Sequence, residues 1–82
     1  MIMTQLQELD IVALTEDRQT THFETGEPIT LYKGQVGTIV MEYDNNVFEV
    51  DFSDNDGRTY AMETLPGDRL IQLHYELVEV VA

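Results

Sequence analysis

The 82-residue chain carries 16 acidic and four basic side chains, which gives a formal net charge of −12 at pH 7. This length has room for one small domain with a single core, and the excess of acids disfavours nucleic acid as a partner, because such binding gains affinity from Lys and Arg contacts to phosphate. The chain contains no cysteine, so neither a disulfide framework nor a thiolate metal site supplements its core.

Targeting signals are missing from the sequence. The N-terminal stretch MIMTQLQELD lacks a basic region followed by an apolar run, and no run of about 18 apolar residues suggests a membrane span. We therefore predict a cytoplasmic protein without a membrane partner. We divide the chain into a flexible leader at 1–8, one domain at 9–76, and a C-terminal strand extension or tail at 77–82.

The first half of the chain begins with a strand and continues with a polar excursion. LDIVAL at 9–14 is a short apolar run bounded by polar residues, which is typical of a strand. Residues 18–32 are polar and are punctuated by Gly26 and Pro28, so they predict a long first loop, with a small hairpin as the alternative.

Residues 33–52 predict a β-hairpin around which the other elements of the domain pack. β-Branched residues favour a second strand at 35–43, where Gly34 and Gly37 indicate a bulge, a bend or a close approach of another backbone. Asn45 and Asn46 suit a two-residue turn because asparagine tolerates positive φ. A third strand at 47–52 then follows.

The third strand alternates strictly, so it predicts Phe48, Val50 and Phe52 inward and Glu49 and Asp51 outward. The Asp-Gly pair at 56–57 predicts a further hairpin turn, after which a fourth strand runs from 58 to 65. Residues 66–69, PGDR, leave room for one helical turn. A fifth strand at 70–75 places Ile71, Leu73 and Tyr75 on one face.

These elements predict an all-β fold, a small five-stranded SH3-like barrel with a long first loop and one short helical turn before the last strand. The stretch GQVGTIVMEYDNNVFEVDF at 34–52 is similar to the KOW-type hairpin of many such barrels. Together with ELDIVALTED at 8–17, NDGRTYAM at 55–62 and LHYE at 73–76, it resembles the small bacterial proteins of the domain of unknown function 4926 family. The resemblance covers nearly all of 8–76, implies an SH3-like barrel, and brings no established activity or catalytic residue.

One acidic turn resembles part of a calcium loop. Asp54, Asp56, Gly57 and Glu63 match its third, fifth, sixth and twelfth places. Phe52 occupies the first place, where a principal ligand belongs, and the flanking residues predict strands. We therefore favour a hairpin turn and keep Asp54, Asp56 and Glu63 only as weak candidates for a cation.

Catalytic candidates are few. Ser53 is the only serine, and the two histidines, His22 and His74, belong to other predicted elements. A nucleophile needs a base within hydrogen-bond reach, so we predict no catalytic residue, no cofactor and no enzymatic activity.

Aromatic side chains beside acids form a more specific combination. Such pairs hold Lys or Arg through cation–π contacts and charge, although tyrosines also pack the rim of small sheets with their hydroxyls in water. The candidate partner-binding residues are Glu42, Tyr43, Asp44, Glu49, Asp51 and Tyr60.

The leading hypothesis is a non-enzymatic protein-interaction module, an acidic barrel that binds a basic protein or peptide, with an immunity or antitoxin-like protein as its concrete version. One alternative is a weak divalent-cation or small-ligand binding protein. Another is a structural subunit that forms a homo-oligomer through an edge strand at 77–81. The simplest interpretation is that the acids serve only to keep the protein soluble.

Overall fold

The computed structural model describes residues 6–74, 76 and 77. Within them the chain is all-β, as predicted, with one 3₁₀ turn at Gly67–Arg69 directly before the last strand. The strands are β1 (Ile11–Leu14), β2 (Arg18–Thr21), β3 (Pro28–Leu31), β4 (Val36–Tyr43), β5 (Val47–Ser53), β6 (Thr59–Pro66) and β7 (Leu70–Gln72). None of the described helical residues forms a segment long and apolar enough to cross a membrane.

The described strands form two antiparallel sheets, which do not close into a barrel. Five strands pair in the order β6-β5-β4-β1-β7, and β2 pairs with β3 alone. The predicted five-stranded barrel is therefore wrong in its closure, because β6 and β7 lie at opposite ends of the order and do not pair with each other in the described residues. The five predicted strands correspond to the members of the five-stranded sheet, and β2 and β3 are additional strands within the predicted loop at 18–32.

The predicted long loop at 18–32 is a hairpin, which was the alternative interpretation. Its strands pair from Arg18 opposite Leu31 to Thr21 opposite Pro28. Leu31 is buried in the core and Ile29 packs against it, while most of the other positions are exposed. A hairpin that gives so little apolar surface to the core lacks the hydrophobic alternation that marks a strand in a sequence.

The core lies on one side of the five-stranded sheet. The predicted alternation of β5 is confirmed, with Phe48, Val50 and Phe52 buried and the residues between them turned outward. Leu6, placed in the predicted leader, is half-buried against this core. The buried core residues are Val12, Leu14, Leu31, Ile39, Phe48, Val50, Phe52, Ala61, Leu65 and Leu70.

Gly37 is the glycine that permits a close approach. A Cβ atom there would lie 2.7 Å from Val50 Cγ1 and 2.9 Å from Phe52 Cδ1. Gly34 has a different role, because it has a φ of 91° with open space around it. The predicted close approach is thus confirmed at one of the two glycines.

The irregularities of the sheet lie at residues other than glycine. Between β4 and β5 the register shifts from Ile39 to Met41, so Val40 is an extra residue on β4. Between β5 and β6, Tyr60 is the extra residue on β6 in the same way. A bulge changes the direction in which the neighbouring side chains point, and Val40 and Met41 are accordingly both exposed.

The turns use the predicted residues. Asn45 (φ 67°) and Asn46 (φ 59°) are both left-handed, but the paired residues are Tyr43 and Val47, so the connection is one residue longer than predicted. The turn before β6 has Gly57 at a φ of 80°, and its hairpin is confirmed by the pairing of β5 with β6.

The last strand differs from its prediction in length and facing. It ends at Gln72, Tyr75 and residues 78–82 lie outside the described part, and the predicted strand extension there stays a prediction. Leu70 is the buried residue, while Ile71 and Leu73 are exposed, because Leu70 lies opposite the buried Leu14 on β1. The face with Ile71 and Leu73 is therefore not the core face.

Candidate functional site

The side of the five-stranded sheet opposite the core is called the outer face here. Antiparallel register places residues that lie opposite one another on the same face. Three rows define it: Ile11, Thr38, Asp51 and Met62; Met41, Glu49 and Thr64; and Tyr43, Val47 and Pro66. The outer face thus combines two carboxylates with a tyrosine and several apolar side chains.

The Glu49 carboxylate is fixed by hydroxyl groups from both neighbouring strands. Tyr43 Oη donates a hydrogen bond to Glu49 Oε1 over 3.1 Å, and Thr64 Oγ1 donates to the same oxygen over 2.7 Å. Within the described residues Glu49 Oε2 accepts no hydrogen bond. One oxygen therefore orients the group while the other faces solvent.

Asp51 repeats this arrangement one pleat further along β5. Ser53 Oγ and Thr59 Oγ1 donate to Asp51 Oδ1 over 2.8 and 2.9 Å, and in the described part of the chain Oδ2 accepts no hydrogen bond. Residues two apart on a strand are separated by roughly 7 Å. The two carboxylates thus match the spacing of alternate side chains on a facing extended segment.

The four basic residues of the chain lie away from the outer face. Arg18 is bonded to Glu63, Arg58 lies 3.9 Å from Glu24, and Arg69 pairs with Glu16 and Asp68. Lys33 lies in the turn before β4. The charge of Glu49 and Asp51 is therefore not balanced by a basic side chain of the described residues.

The structure brings together part of the predicted partner-binding set. Tyr43, Glu49 and Asp51 share the outer face. Glu42 lies opposite the buried Phe48 and is therefore on the other face of the sheet, and Asp44 is exposed in the β4–β5 turn. Tyr60 is separate: as a bulge residue it packs against the core, and its hydroxyl accepts a hydrogen bond from Gln35 Nε2 over 2.7 Å.

Sequence reasoning missed the threonines that orient the carboxylates. Thr59 and Thr64 belong to β6, and their neighbours on β5 follow from a register that the bulge at Tyr60 shifts. Alternation of polar and apolar residues shows which face a residue is on. It does not show which residue lies opposite, so no sequence signal could have found them.

Tyr43 should titrate at an unusually high pH. The hydrogen bond to Glu49 raises its pKa above the usual 10.0, with smaller contributions from burial and from the charge of Glu49. We expect the Glu49→Gln variant to titrate closer to the usual value in an ultraviolet absorbance titration, with Tyr43→Phe identifying the signal. An unchanged Tyr43 pKa in Glu49→Gln would contradict the hydrogen bond. Because the folded-state pKa is raised, the associated stability is present below pH 10 and is lost as the pH rises through that pKa.

The weak cation candidates are held in different places. Asp54 Oδ1 accepts the backbone N–H groups of Asp56 and Arg58 over 2.9 and 3.0 Å, so this carboxylate stabilises the turn. Glu63 is buried on β6. Among the residues that the structure describes, no group of three His, Cys, Asp or Glu side chains is arranged to hold a metal ion.

Glu63 instead joins the two sheets. Its Oε1 lies 2.5 Å from Arg18 Nε, and its Oε2 accepts a hydrogen bond from Thr20 Oγ1 over 2.7 Å. The backbone N–H of Phe23 also donates to Tyr60 O over 2.8 Å. These bonds hold the β2–β3 hairpin on β6. The alternation of Ala61, Glu63 and Leu65 was the signal that Glu63 faces inward.

The serine and histidines have local partners. Ser53 bonds to Asp51, as described above. His22 Nδ1 accepts the backbone N–H groups of Glu24 and Thr25 over 3.1 and 3.4 Å, within the β2–β3 turn. His74 is exposed just beyond β7.

Comparison with known proteins places the chain in a family. The model of the Domain of unknown function (DUF4926) matches residues 8–72, which include all seven strands. No curated protein and no solved structure matches the chain at a significant level. On the match over 8–72, the chain belongs to the DUF4926 family.

Proposed function

We propose that the chain is a non-enzymatic protein-interaction module whose outer face binds a basic segment of a protein partner. The observation that carries the proposal is the pair Glu49 and Asp51. Each carboxylate has one oxygen fixed by two hydroxyl groups and one oxygen without an internal hydrogen bond in the described residues.

Two basic side chains on alternate positions of an extended segment fit this pair. Hydrogen bonds between charged donors and carboxylates are stronger than neutral ones, and prior orientation of the carboxylates lowers the entropy lost on binding. Tyr43 adds an aromatic ring beside Glu49 for a cation–π contact. The net charge of −12 would steer a basic partner toward the module and speed the encounter.

A basic toxin masked by an immunity or antitoxin-like protein is one partner of the required chemistry, and the lack of cysteine supports the cytoplasm as the site of action. The 3₁₀ turn directly before β7 supports a relationship with SH3-like domains, although the sheet is open.

The test is salt-dependent association with the products of the neighbouring genes. We expect a complex that weakens as salt rises, and an affinity about tenfold lower for the double variant Glu49→Gln/Asp51→Asn. Roughly 0.7 kcal/mol for each of the two solvent-accessible charge pairs sums to about 1.4 kcal/mol, which corresponds to a factor of ten. The measurement is calorimetry at two salt concentrations.

The matched control is Glu27→Gln/Asp68→Asn, which removes the same charge from exposed acids outside the outer face. We expect this control to retain most of the affinity. Equal weakening in the two double variants would show that only net charge matters, and the outer face would then not be the binding site.

A further inference from the structure

The edge of the five-stranded sheet at β7 leaves backbone groups unpaired. Leu73 N donates to Ile11 O over 2.9 Å, and Thr15 N donates to Arg69 O over 3.1 Å. Because hydrogen-bonded and non-bonded residues alternate in an antiparallel pair, Gln72 directs its N–H and C=O away from β1. Within the described residues no strand pairs with β7 on that side.

A groove of about 460 Å³ lies at this edge. Its apolar lining includes Leu9, Leu73 and Leu77, which are 79%, 37% and 86% exposed. Asp10 and Glu76 also line it. We refer to it below as the β7 groove.

Leu9 in the β7 groove adopts a backbone conformation that suits glycine better. The turn from Gln7 to Asp10 is closed by the bond from Asp10 N to Gln7 O over 3.1 Å, and Leu9 has a φ of 74°. A leucine in the left-handed region is strained. This strained conformation places a large apolar side chain in solvent, which does not stabilise the isolated chain.

Gln72 is the second unusual residue of the β7 groove. Its Oε1 is buried and has no hydrogen-bond partner among the described residues, which is unfavourable for a buried acceptor.

We infer that the β7 groove takes an extended basic segment of the partner, which adds to β7 as a further antiparallel or parallel strand. This inference rests on the proposed function, because it places a second part of the same partner. Asp10 and Glu76 give the groove the charge that such a segment needs, whereas a second copy of the chain, also at −12, would be repelled. Strand addition provides affinity through backbone hydrogen bonds.

The β7 groove is continuous with the outer face. Ile11 lines the groove and lies in one cross-strand row with Thr38 and Asp51. Two strand spacings separate Ile11 from Asp51, which is roughly 10 Å. One basic partner therefore reaches both surfaces.

The probe is the synthetic peptide acetyl-Lys-Val-Lys-Val-Lys-Val-Lys-amide, titrated into the full chain labelled with ¹⁵N. We expect the Gln72 amide to shift and to become protected from hydrogen exchange. Analogues N-methylated at alternate residues, one blocking each edge of the peptide strand, test the backbone bonds, and we expect one of them to bind at least tenfold more weakly. Equal binding of both analogues, or shifts confined to the outer face, would overturn the inference.

Leu9→Asn provides the test on the protein, because asparagine tolerates the left-handed region. We expect this variant to melt at a higher temperature and to bind the peptide at least fivefold more weakly. Phe23→Asn is the control, since it removes an apolar side chain of 59% exposure from the β2–β3 turn, and it should bind as the unaltered chain does. Unchanged binding by Leu9→Asn would overturn the inference.

Other occupants of the groove have distinct outcomes. A Gln72 amide that is protected from exchange before any peptide is added would overturn the inference, because the chain itself or a second copy would then cover the edge. Dilution distinguishes these two cases, since only protection by a second copy depends on concentration. If only the inference about the β7 groove is wrong, the salt-sensitive complex that depends on Glu49 and Asp51 will still form. If the proposed function is wrong, the unaltered chain will form no salt-sensitive complex.

Discussion

Gly37→Ala is expected to lower the free energy of unfolding by about 2 kcal/mol or more, since added volume in a packed core typically costs about 1–3 kcal/mol. The new Cβ would lie 2.7 Å from Val50 Cγ1, 2.9 Å from Phe52 Cδ1 and 3.0 Å from Asp51 O. Val50 and Phe52 are fully buried, and the third contact is backbone. Relief of the overlap therefore requires β4 and β5 to separate.

Urea denaturation followed by circular dichroism measures this effect. Gly26→Asn is the control, because Gly26 has a φ of 74° and no atom within 4 Å of an added Cβ, and asparagine visits that conformation. We expect the control to lose about 1 kcal/mol or less. A Gly37→Ala variant as stable as this control would show that β4 and β5 do not pack as closely as described.

Arg18→Met is expected to cost about 1–3 kcal/mol of folding free energy, because it leaves the Glu63 carboxylate buried with Thr20 as its remaining described partner. Glu63 is only 8% exposed. The Arg18 side chain is 43% exposed, so water reaches that end of the pair and keeps the cost below that of a fully buried one.

The double variant Arg18→Met/Glu63→Leu should recover much of this loss, since apolar side chains of similar size replace buried ion pairs at little cost. Thermal unfolding of both single variants and the double variant measures the coupling. Arg58→Met is the control: its pair with Glu24 is exposed and 3.9 Å long, and its loss should stay within about 0.5 kcal/mol. Strictly additive effects at Arg18 and Glu63 would contradict the buried pair.

Local features of the fold were predictable where the sequence itself carries the physical cause. The alternation of Phe48, Val50 and Phe52 states the buried face of β5 directly, and Asn45 and Asn46 adopt the positive φ that their chemistry tolerates. The bulges at Val40 and Tyr60 were not predictable, because neither residue has a conformational preference for them. They depend on how whole strands pack together.

Pairing between distant segments was the larger gap. The register of β7 depends on Leu70 lying opposite Leu14, whereas the alternation of Ile71, Leu73 and Tyr75 in the sequence favoured the opposite facing. The β2–β3 hairpin was only the alternative interpretation of its segment, because its anchor includes a pair of polar side chains, Arg18 and Glu63, rather than an apolar stripe.

The candidate site shows the same division. Tyr43, Glu49 and Asp51 were identifiable as aromatic and acidic residues on an outward face. Their fixed orientation was not, because it depends on the hydroxyls of Thr59 and Thr64, which reach β5 only through the cross-strand register. Tyr60 does not share this face, since the bulge turns its side chain toward the core.

The order β6-β5-β4-β1-β7 affects the growing chain during its synthesis. β4, β5 and β6 follow one another along the chain, so each of these strands finds its partner close in sequence. β1 is synthesised first, yet both of its neighbours, β4 and β7, come later. The apolar side chains of Val12 and Leu14 are therefore synthesised before the strands they pack with. The second edge of β1 is paired only after β7 has been translated.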